Sequence, residues 1–305
     1  MSLLALALVT ATPATIASVI TSARPGDTVV LQAGTYRNVK ITRSFTTPIT
    51  IDAAGTTVRG LAISGSGVTW RSGTIVAPQG TTGVGPNVYG ALVTGSRVTF
   101  SGTTFSTSRK ALVLDRARDI TVADSFFRGV GEDGIIASRT VGLTIVRNAF
   151  DKVIGKATSC VTATGIIRGL AKRDCTAKRG TWTDGFHADA VQMRNGVTDA
   201  LIADNVVNAD TQGVTQMDAI GDAPLARIRI ERNSIAATIH HITLGKNCND
   251  CLIRGNTVRR YRPKSFNAII RPGRARRCEN DTIDEPRDGS CRSYASTPST
   301  PSRSG

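Results

Sequence analysis

Aromatic residues and long apolar runs are scarce in this sequence. Phe, Trp and Tyr make up 5% of its 305 residues, which is little for a protein that stacks nucleic-acid bases on aromatic rings, and no nucleic-acid-binding motif is present. The apolar run Leu3–Val9 is too short to span a bilayer, and no membrane span follows it. No Pro/Ser-rich linker divides the interior. These absences argue against a nucleic-acid-binding protein, a membrane protein and a multidomain chain.

Acidic residues are outnumbered. The chain has 38 Lys and Arg against 23 Asp and Glu, a formal net charge of +15. Such a charge is typical of a protein with a polyanionic partner, although it can also serve solubility alone. Since nucleic acid is disfavoured, we expect an acidic polysaccharide as the partner, and we expect the protein to be a monomer.

The ends of the chain differ in composition from its middle. We interpret residues 1–11 as the remnant of a secretory signal without its basic start, or alternatively as a first strand or cap segment. Residues 12–292 are the predicted folded domain. Residues 293–305 are rich in Ser, Thr and Pro and are predicted to be a disordered tail.

The six cysteines fall into three local pairs: Cys160 with Cys175, Cys248 with Cys251, and Cys278 with Cys291. An even number of locally paired cysteines predicts three disulfides and an oxidising compartment, so we expect a secreted or periplasmic protein. The alternative is zinc, because Cys248 and Cys251 have zinc-knuckle spacing. A second pair with similar spacing is lacking.

A short unit of Asn followed by small apolar residues recurs in the sequence. Each copy follows a short apolar strand; the copies are Arg147–Phe150, Asp204–Val207, Arg232–Ile235 and Gly255–Val258, after Leu143–Ile145, Leu201–Ala203, Ile228–Ile230 and Cys251–Ile253. A third segment lies between the copies: Leu112–Leu114, Ile135–Ala137, Val191–Met193, Val214–Gln216, Ile242–Leu244 and Ile269–Arg271. Its middle residues are aligned as Val113, Ile136, Gln192, Thr215, Thr243 and Ile270.

A repeat of about 20 to 30 residues built only from short strands predicts a β-solenoid. The fold class is therefore all-β, a single-stranded right-handed parallel β-helix with three sheets and about nine to eleven coils. Asn suits the corner because it tolerates left-handed backbone and its amide can bond to the coils above and below. A β-sandwich is the alternative, but sandwiches do not repeat one corner residue at one phase.

The amino terminus predicts a capping α-helix over residues 12–23. Thr12-Pro13 resembles an N-cap with Pro at the first helical position, and Ile16, Val19, Ile20 and Ala23 have helical spacing. A solenoid needs such a cap because its open end exposes the core and an unpaired strand edge.

The first coils carry a family resemblance. The series Arg24–Asp27, Ala33–Tyr36 and Pro48–Ile51 resembles the entry of the pectate-lyase-like superfamily, most closely the chondroitinase-B and alginate-lyase type, over roughly residues 15 to 55. The resemblance implies a parallel β-helix and a polysaccharide lyase. It also implies a Lys/Arg pair on successive coils, to which Lys246 and Arg271 could correspond. The calcium motif of that family is not found here.

The repeat is broken by an insertion at residues 156–186, which is rich in Lys and Arg. Long excursions from a compact scaffold are usually functional. The segment Asp184–Arg194 follows directly and brings together His187, Asp189 and Gln192. The alternative is structural, with Asp189 capping a corner and Gln192 joining a polar ladder.

The same strand register extends the candidate site. One column contains Lys110, Asp133, Asp189, Gln212, His240 and Asn267. Because adjacent coils lie about 4.8 Å apart, Asp133 and Asp189 would be neighbours, with Glu132 close by. Two carboxylates so near each other share a proton, bind a cation or face a positive charge.

These groups match β-elimination on a uronic acid. His187 is predicted to be the base or acid and Lys246 a second candidate base, while Arg194 and Arg271 neutralise the substrate carboxylate. Asp133 and Asp189 bind Ca²⁺ or orient His187. The predicted substrate-binding residues are Gln192, Gln216, His240, His241 and Lys110.

Two other functions stay open. A glycoside hydrolase would use Asp133 and Asp189 as paired carboxyls, but the polygalacturonase motifs Asn-Thr-Asp, Asp-Asp, Gly-His-Gly and Arg-Ile-Lys are absent, and so is the Asp-Pro-His of mannuronan epimerases. The second alternative function is that of a non-catalytic carbohydrate-binding β-helix, such as an adhesin or tailspike fragment.

Overall fold

The structure is a computed structural model that covers most of the chain. The described residues are 7–78, 80, 88–153, 159–162, 165–168, 172–179, 181–183, 188–210, 212–216, 223–261 and 268–291. Within these ranges only the backbone is described for residues 152, 159–162, 165–168, 172 and 181–183.

One parallel sheet forms the first face of the fold, and it takes a strand from each coil. Its strands are β1 (Leu8–Ala11), β2 (Thr28–Leu31), β4 (Ile49–Asp52), β6 (Ser66–Arg71), β9 (Ser96–Ser101), β12 (Arg118–Ala123), β15 (Val141–Val146), β21 (Thr198–Ala203), β24 (Leu225–Glu231), β27 (Cys248–Asn249), β28 (Leu252–Arg254) and β31 (Arg276–Cys278). Buried and partly exposed side chains alternate along β2 and its neighbour β4. One side of the sheet therefore faces the core.

A second, larger parallel sheet bends to form two faces. Its strands β3 (Gly34–Ile41) and β5 (Thr56–Ile63) run across both faces and join them. The second face continues with β7 (Thr74–Val76), β10 (Thr104–Ser106), β13 (Phe126–Val130), β16 (Ala149–Val153), β22 (Val206–Ala209), β25 (Ser234–Ala237), β29 (Thr257–Arg260) and β32 (Asp281–Thr282). The third face continues with β8 (Tyr89–Val93), β11 (Lys110–Asp115), β14 (Asp133–Ser138), β20 (Asp189–Arg194), β23 (Gln212–Gln216), β26 (Ile242–Thr243) and β30 (Ile270–Arg271).

Every coil pairs in parallel with the coils before and after it, which confirms the predicted parallel β-helix and excludes the sandwich. On the third face the pairing runs coil by coil through the buried residues Leu112, Ile135, Val191, Val214, Ile242 and Ile270. Inside, the rings of Phe105, Phe127 and Phe150 stack with centroids 4.7 and 4.5 Å apart. The three faces thus enclose one continuous core, as a solenoid requires.

An asparagine ladder forms the corner between the first and second faces. Its members are Asn148, Asn205, Asn233, Asn256 and Asn280, all buried. The Nδ2 of Asn148 donates to Oδ1 of Asn205 at 3.0 Å, and the same Oδ1 accepts the Asn148 backbone N–H at 2.9 Å. This pattern repeats to Asn280. The predicted stacking of corner amides is therefore confirmed.

The other reason predicted for Asn at this corner is wrong. The left-handed backbone belongs to the residue before each Asn, for example Arg147 at φ 55°, Asp204 at φ 58° and Gly255 at φ 65°. The turn thereby leaves the Asn side chain directed inward, where its amide bonds to neighbouring coils. The corner needs Asn for its hydrogen bonds and not for its backbone freedom.

The capping helix α1 is shorter than predicted and spans Ile16–Ser22. Thr12 and Thr15 exchange side-chain bonds with each other's backbone N–H, at 2.9 and 3.2 Å, and so hold residues 12–15 as a turn. The Ile16 N–H bonds to the Thr12 carbonyl at 3.0 Å, so this turn leads into the helix, and the predicted start at Thr12-Pro13 is one turn early. The predicted apolar face is confirmed, since Ile16, Ile20 and Ala23 are buried.

Strand β1 is the first strand of the first face. Its Leu8–Ala11 pair in parallel with Thr28–Leu31. This favours the interpretation of this segment as a first strand. Residues 1–6 lie outside the described residues.

The insertion between β16 and β20 has secondary structure of its own. Strands β17 (Ser159–Thr162), β18 (Gly165–Arg168) and β19 (Thr181–Thr183) form a small antiparallel sheet, and α2 spans Lys172–Ala177. Apart from this sheet and a single antiparallel bridge between Thr282 and Glu285, the described pairing is parallel.

The cysteines are disulfide-bonded throughout the described part of the chain. Cys248 pairs with Cys251, and Cys278 with Cys291, which confirms two of the three predicted bridges. Cys175 is also in a disulfide. Its predicted partner, Cys160, is among the residues whose side chains are not described.

No helix within the described residues has the length and apolar character needed to cross a bilayer.

Candidate functional site

Two carboxylates from adjacent coils meet on the third face. The register pairs Lys110 with Asp133 and Asp189 with Gln212, and the Asp189 backbone N–H donates to Oδ1 of Asp133 at 3.1 Å. The predicted polar column is therefore confirmed from Lys110 to Gln212. We call Asp133 and Asp189 the carboxylate pair.

The carboxylate pair lies on the outer side of its sheet. Gln192 alternates with Val191 and Met193, which belong to the core. Its Nε2 donates to Oδ2 of Asp189 at 2.7 Å. Because Gln192 reaches Asp189 from the outer side of the strand, the Asp189 carboxylate is on that side too.

Thr215, on the next coil, adds a second side-chain hydrogen bond to Asp189. Its Oγ1 donates to Oδ1 of Asp189 at 2.6 Å. Both oxygens of Asp189 thus accept a side-chain hydrogen bond, and such donors stabilise a negative charge. Thr215 is aligned with Gln192 in the sequence repeat but was not predicted as a site residue; this alignment was the available signal.

Asp133 is in a different environment from Asp189. It is 2% exposed. Burial raises the pKa of Asp133 well above its ordinary value of 3.8, and the nearby charges of Asp189 and Glu132 raise it further. The hydrogen bond from the Asp189 N–H and the charge of Lys110 act in the opposite direction but are smaller effects. Asp133 is therefore suited to hold a proton beside a charged Asp189.

Two cations border the carboxylate pair. Arg109 Nε donates to Oε2 of Glu132, and Lys110 Nζ lies 3.6 Å from Oε1 of the same carboxylate. The Lys110 side chain keeps 26% of its surface exposed. Arg109 was not predicted as a site residue; its place next to Lys110 was the only indication in the sequence.

Three of the predicted substrate-binding residues lie apart from this cluster. Gln216 pairs with Met193 in the inward column and accepts the Gly245 N–H at 2.8 Å through Oε1. His241 is fully buried, and burial lowers its pKa. His240 is half-buried at the strand approach. Gln192 and Lys110 are thus the predicted binding residues that the structure brings to the carboxylate pair.

The predicted cations toward the carboxyl terminus are exposed. Arg194 ends β20 opposite Ser138, and Lys246 lies in the turn after β26. Arg271 pairs with Thr243, which places it in the outer column that contains Gln192 and Thr215. The predicted alignment of Thr243 with Ile270 is therefore wrong by one residue.

The predicted catalytic His187 lies outside the described residues, as does Asn267. The residue that follows His187, Ala188, is buried in the core, and its carbonyl accepts the Gln212 N–H at 2.9 Å. The chain thus rejoins the coil directly before Asp189. The role of His187 stays a prediction.

The described residues of this site offer few free oxygen ligands for calcium. Within the described ranges, no cluster of three or more His, Cys, Asp or Glu is placed to hold a metal ion. Both side-chain oxygens of Asp189 accept protein hydrogen bonds, and Glu132 is engaged by Arg109 and Lys110. Ca²⁺ takes six to eight oxygen ligands. The described residues suit a shared proton better than calcium, which stays a prediction.

Comparisons with known proteins give structural likenesses alone. No family model and no curated protein sequence matches this chain. Solved structures similar to it are the Dettilon tailspike protein (14% identity, TM-score 0.46, covering 81% of this chain and 50% of that one), pectate lyase Pel9A (14%, 0.44, 90% and 80%) and an alginate lyase from Paenibacillus sp. (17%, 0.45, 93% and 96%).

All three similar proteins have parallel β-helix folds, the class that the first coils resemble. The chain spans about half the length of the tailspike protein. Because the three TM-scores are below 0.5, these likenesses carry no argument about activity.

Proposed function

We propose that this protein depolymerises an acidic, uronate-containing polysaccharide by β-elimination on the outer side of the third face. The observation that carries the proposal is the carboxylate pair, in which a buried Asp133 with a raised pKa lies beside an Asp189 that accepts two side-chain hydrogen bonds. Such a perturbed carboxyl next to a charged partner is typical of acid–base catalysis.

Asp133 supplies the acid in this proposal. In β-elimination a base removes the C5 proton, the bond from C4 to the leaving oxygen breaks, a C4–C5 double bond forms, and the leaving oxygen takes up a proton. A carboxyl whose pKa is raised by burial can hold and deliver that last proton. His187 is the proposed base, and Lys246 the second candidate.

Cations are needed because the C5 proton is only weakly acidic until the substrate carboxylate is neutralised. Lys110 lies beside Asp133 and keeps part of its surface exposed. Arg194 is exposed at the carboxyl end of β20, the strand that begins with Asp189. Arg271 is exposed in the outer column of the third face, three coils beyond Gln192. The net charge of +15 favours the approach of a polyanion. The disulfides support a location outside the reducing cytoplasm.

Hydrolysis is the second candidate, and one observation favours it. The unlike environments of Asp133 and Asp189 are those of an acid and a base or nucleophile in a glycoside hydrolase. Both reactions would use Asp133 as proton donor. The products distinguish them, because β-elimination leaves an unsaturated sugar that absorbs in the ultraviolet and hydrolysis does not.

The test is incubation of the protein with a panel of polyuronates, following ultraviolet absorbance and reducing ends together. Absorbance that rises with the reducing ends supports the lyase, and reducing ends without absorbance would assign a hydrolase. Failure to cleave any member of the panel would contradict the proposal.

Variants then test the carboxylate pair. Asp133→Asn should lower turnover by about 10² or more, the usual contribution of a general acid, and it should keep the bond from the Asp189 N–H through its amide oxygen. Asp124→Asn is the matched control, because Asp124 is an exposed carboxylate paired with Arg147 away from the site. Equal activity in both variants would show that the pair is only structural.

His187 and Arg194 provide the test of elimination itself. His187→Ala should also cut turnover by about 10² or more. Arg194→Ala should harm both binding and turnover, because the carboxylate needs neutralising in the ground state and in the transition state. Thermal midpoints should hardly change for Arg194→Ala, since its side chain is exposed. Full activity in both variants would move the site elsewhere.

A further inference from the structure

An open groove lies on the third face, between the carboxylate pair and the amino-terminal end. Its volume is about 430 Å³, and its lining includes Lys40, Ala62, Pro78, Tyr89 and Leu92. Lys40 is exposed, and the other four are partly exposed. The groove thus offers an aromatic ring, an apolar floor and one cation.

The groove and the carboxylate pair lie on the same strand register. Tyr89 pairs with Lys110, which pairs with Asp133. At about 4.8 Å per coil, Tyr89 is three coils, or roughly 14 Å, from Asp189. A chain lying along the face would therefore meet both places at once.

A second column of outward-facing residues also connects the groove to the carboxylate pair. Lys40, Ala62 and Leu92 are paired in succession, and the column continues through Val113 and Ile136 to Gln192. Its side chains are cationic or apolar at the groove and polar at the carboxylate pair. The polarity of the exposed side chains therefore changes along the face, while the pairing of the strands continues without a register shift.

We propose that this groove is a second sugar-binding subsite, which holds a uronate unit of the polysaccharide several sugars away from the bond that is cleaved. This inference rests on the proposed function. The Tyr89 ring and the Leu92 side chain present an apolar surface to the face of a sugar ring. The Lys40 ammonium pairs with the uronate carboxylate.

The floor of the groove is built from small residues. Ala62 lies between Lys40 and Leu92 in the outer column and leaves space that a longer side chain would fill. At Gly60, with φ +83°, an added Cβ would lie 3.0 Å from Cγ of Pro78. Gly60 thereby permits Pro78 to pack against the floor. Ala62→Trp should close the groove without touching the carboxylate pair.

The subsite predicts a dependence on substrate length. Short oligosaccharides reach the carboxylate pair alone, whereas longer ones also occupy the groove. Loss of Tyr89 or Lys40 should therefore weaken the binding of long oligosaccharides by about tenfold, equal to about 1.4 kcal/mol. Short oligosaccharides should bind as they do to the wild type. On polymer, KM should rise while kcat stays unchanged, because the groove is remote from the cleaved bond.

The experiment is calorimetric titration with oligogalacturonates and alginate oligosaccharides of increasing length. It compares the wild type with Tyr89→Ala, Lys40→Gln and Ala62→Trp. Lys40 is exposed, so that its variant keeps the fold even where a Tyr89 variant does not. Arg118→Gln is the matched control, since Arg118 is an exposed cation on the first face.

The outcomes separate this inference from the proposed function. A length-dependent gain in wild-type affinity that the three groove variants lose, and Arg118→Gln keeps, supports the subsite. A wild type that cleaves a polyuronate, with groove variants that bind every length equally well, overturns the subsite alone. A wild type that neither binds nor cleaves any acidic polysaccharide overturns the proposed function and the subsite with it.

Discussion

The asparagine ladder and the carboxylate pair are both buried polar columns that run from coil to coil, but they differ in composition. In the ladder, each amide donates to the next and accepts from the one before, and the residue type is the same over five coils. In the column of the carboxylate pair, the residues change from Lys110 to Asp133, Asp189 and Gln212.

The difference shows how a structural column can be told from a functional one. A repeated neutral amide satisfies its own hydrogen bonds and adds no charge to the interior, so it stabilises each of the five coils of the ladder alike. Two adjacent carboxylates cost free energy unless a proton or a cation compensates them. A solenoid that needed only stability would place neutral groups there. The carboxylate pair is therefore the better candidate for chemistry.

The largest effect on stability is expected in the ladder. Asn205→Ala removes the acceptor of the Asn148 backbone N–H and the donor to the Ile145 carbonyl, both in the buried corner. Since a buried unsatisfied group costs about 1 to 3 kcal/mol, the free energy of unfolding should fall by about 2 to 4 kcal/mol in chemical denaturation. Asn247→Ala, at an exposed turn, should change it by less than about 0.5 kcal/mol. Similar losses in both variants would refute the structural role of the ladder.

The carboxylate pair should make the free energy of unfolding depend on pH. Because the pKa of Asp133 is raised on folding, the folded protein binds this proton more tightly than the unfolded chain does. Stability should therefore decline as pH rises from the ordinary value of 3.8 through the raised pKa. Denaturation midpoints measured across this range should decline less in Asp133→Asn. The titration belongs to Asp133 and Asp189 jointly, with Glu132 and Lys110 as charged neighbours.

Asp199 is the control, because its pKa is shifted in the direction opposite to that of Asp133. The side-chain hydrogen bond from Arg227 lowers the pKa of Asp199. Asp199 therefore contributes stability that is present above its unfolded pKa and is lost as pH falls through its folded pKa. Asp199→Asn should remove a stabilising contribution at neutral pH, whereas Asp133→Asn should remove a destabilising one. The same sign in both variants would contradict the environment described for Asp133.

The smallest effect is expected at the exposed ion pairs beside the ladder. Arg147 binds Asp124 through two hydrogen bonds of 2.8 and 2.9 Å, with both side chains about half exposed. Arg147→Gln should lower the free energy of unfolding by less than about 1 kcal/mol, and high salt should reduce the difference. A loss as large as that of Asn205→Ala would mean that charge, and not the amide ladder, stabilises this corner.

Most of the fold was predictable because the solenoid repeats one requirement. Five successive coils place an amide at the same corner, so Asn148, Asn205 and Asn233 appear at one phase and fix the register. The last coil was aligned wrongly by one residue, because Ile270 and not Ile269 pairs with Ile242. Helix α1 begins one turn later than predicted, because residues 12–15 form a separate turn closed by the bonds between Thr12 and Thr15.

The facing of the site residues could not be predicted from alternation. Ala190 and Val191 are consecutive and both lie in the core, so the strict alternation of a strand is broken just after Asp189. This break puts Asp189 and Gln192 on the same side although they are three residues apart. Gln216 follows the inward phase instead. The bend between the second and third faces determines whether each of these side chains lies on the inner or the outer side of the sheet.

The insertion between β16 and β20 leaves the register of the coils intact. Strand β20 pairs with β14 as if no residues had been inserted, with Ile135 beside Val191. The length of the insertion is therefore independent of the stacking of the coils, so that it tolerates engineered changes in length without a change of fold.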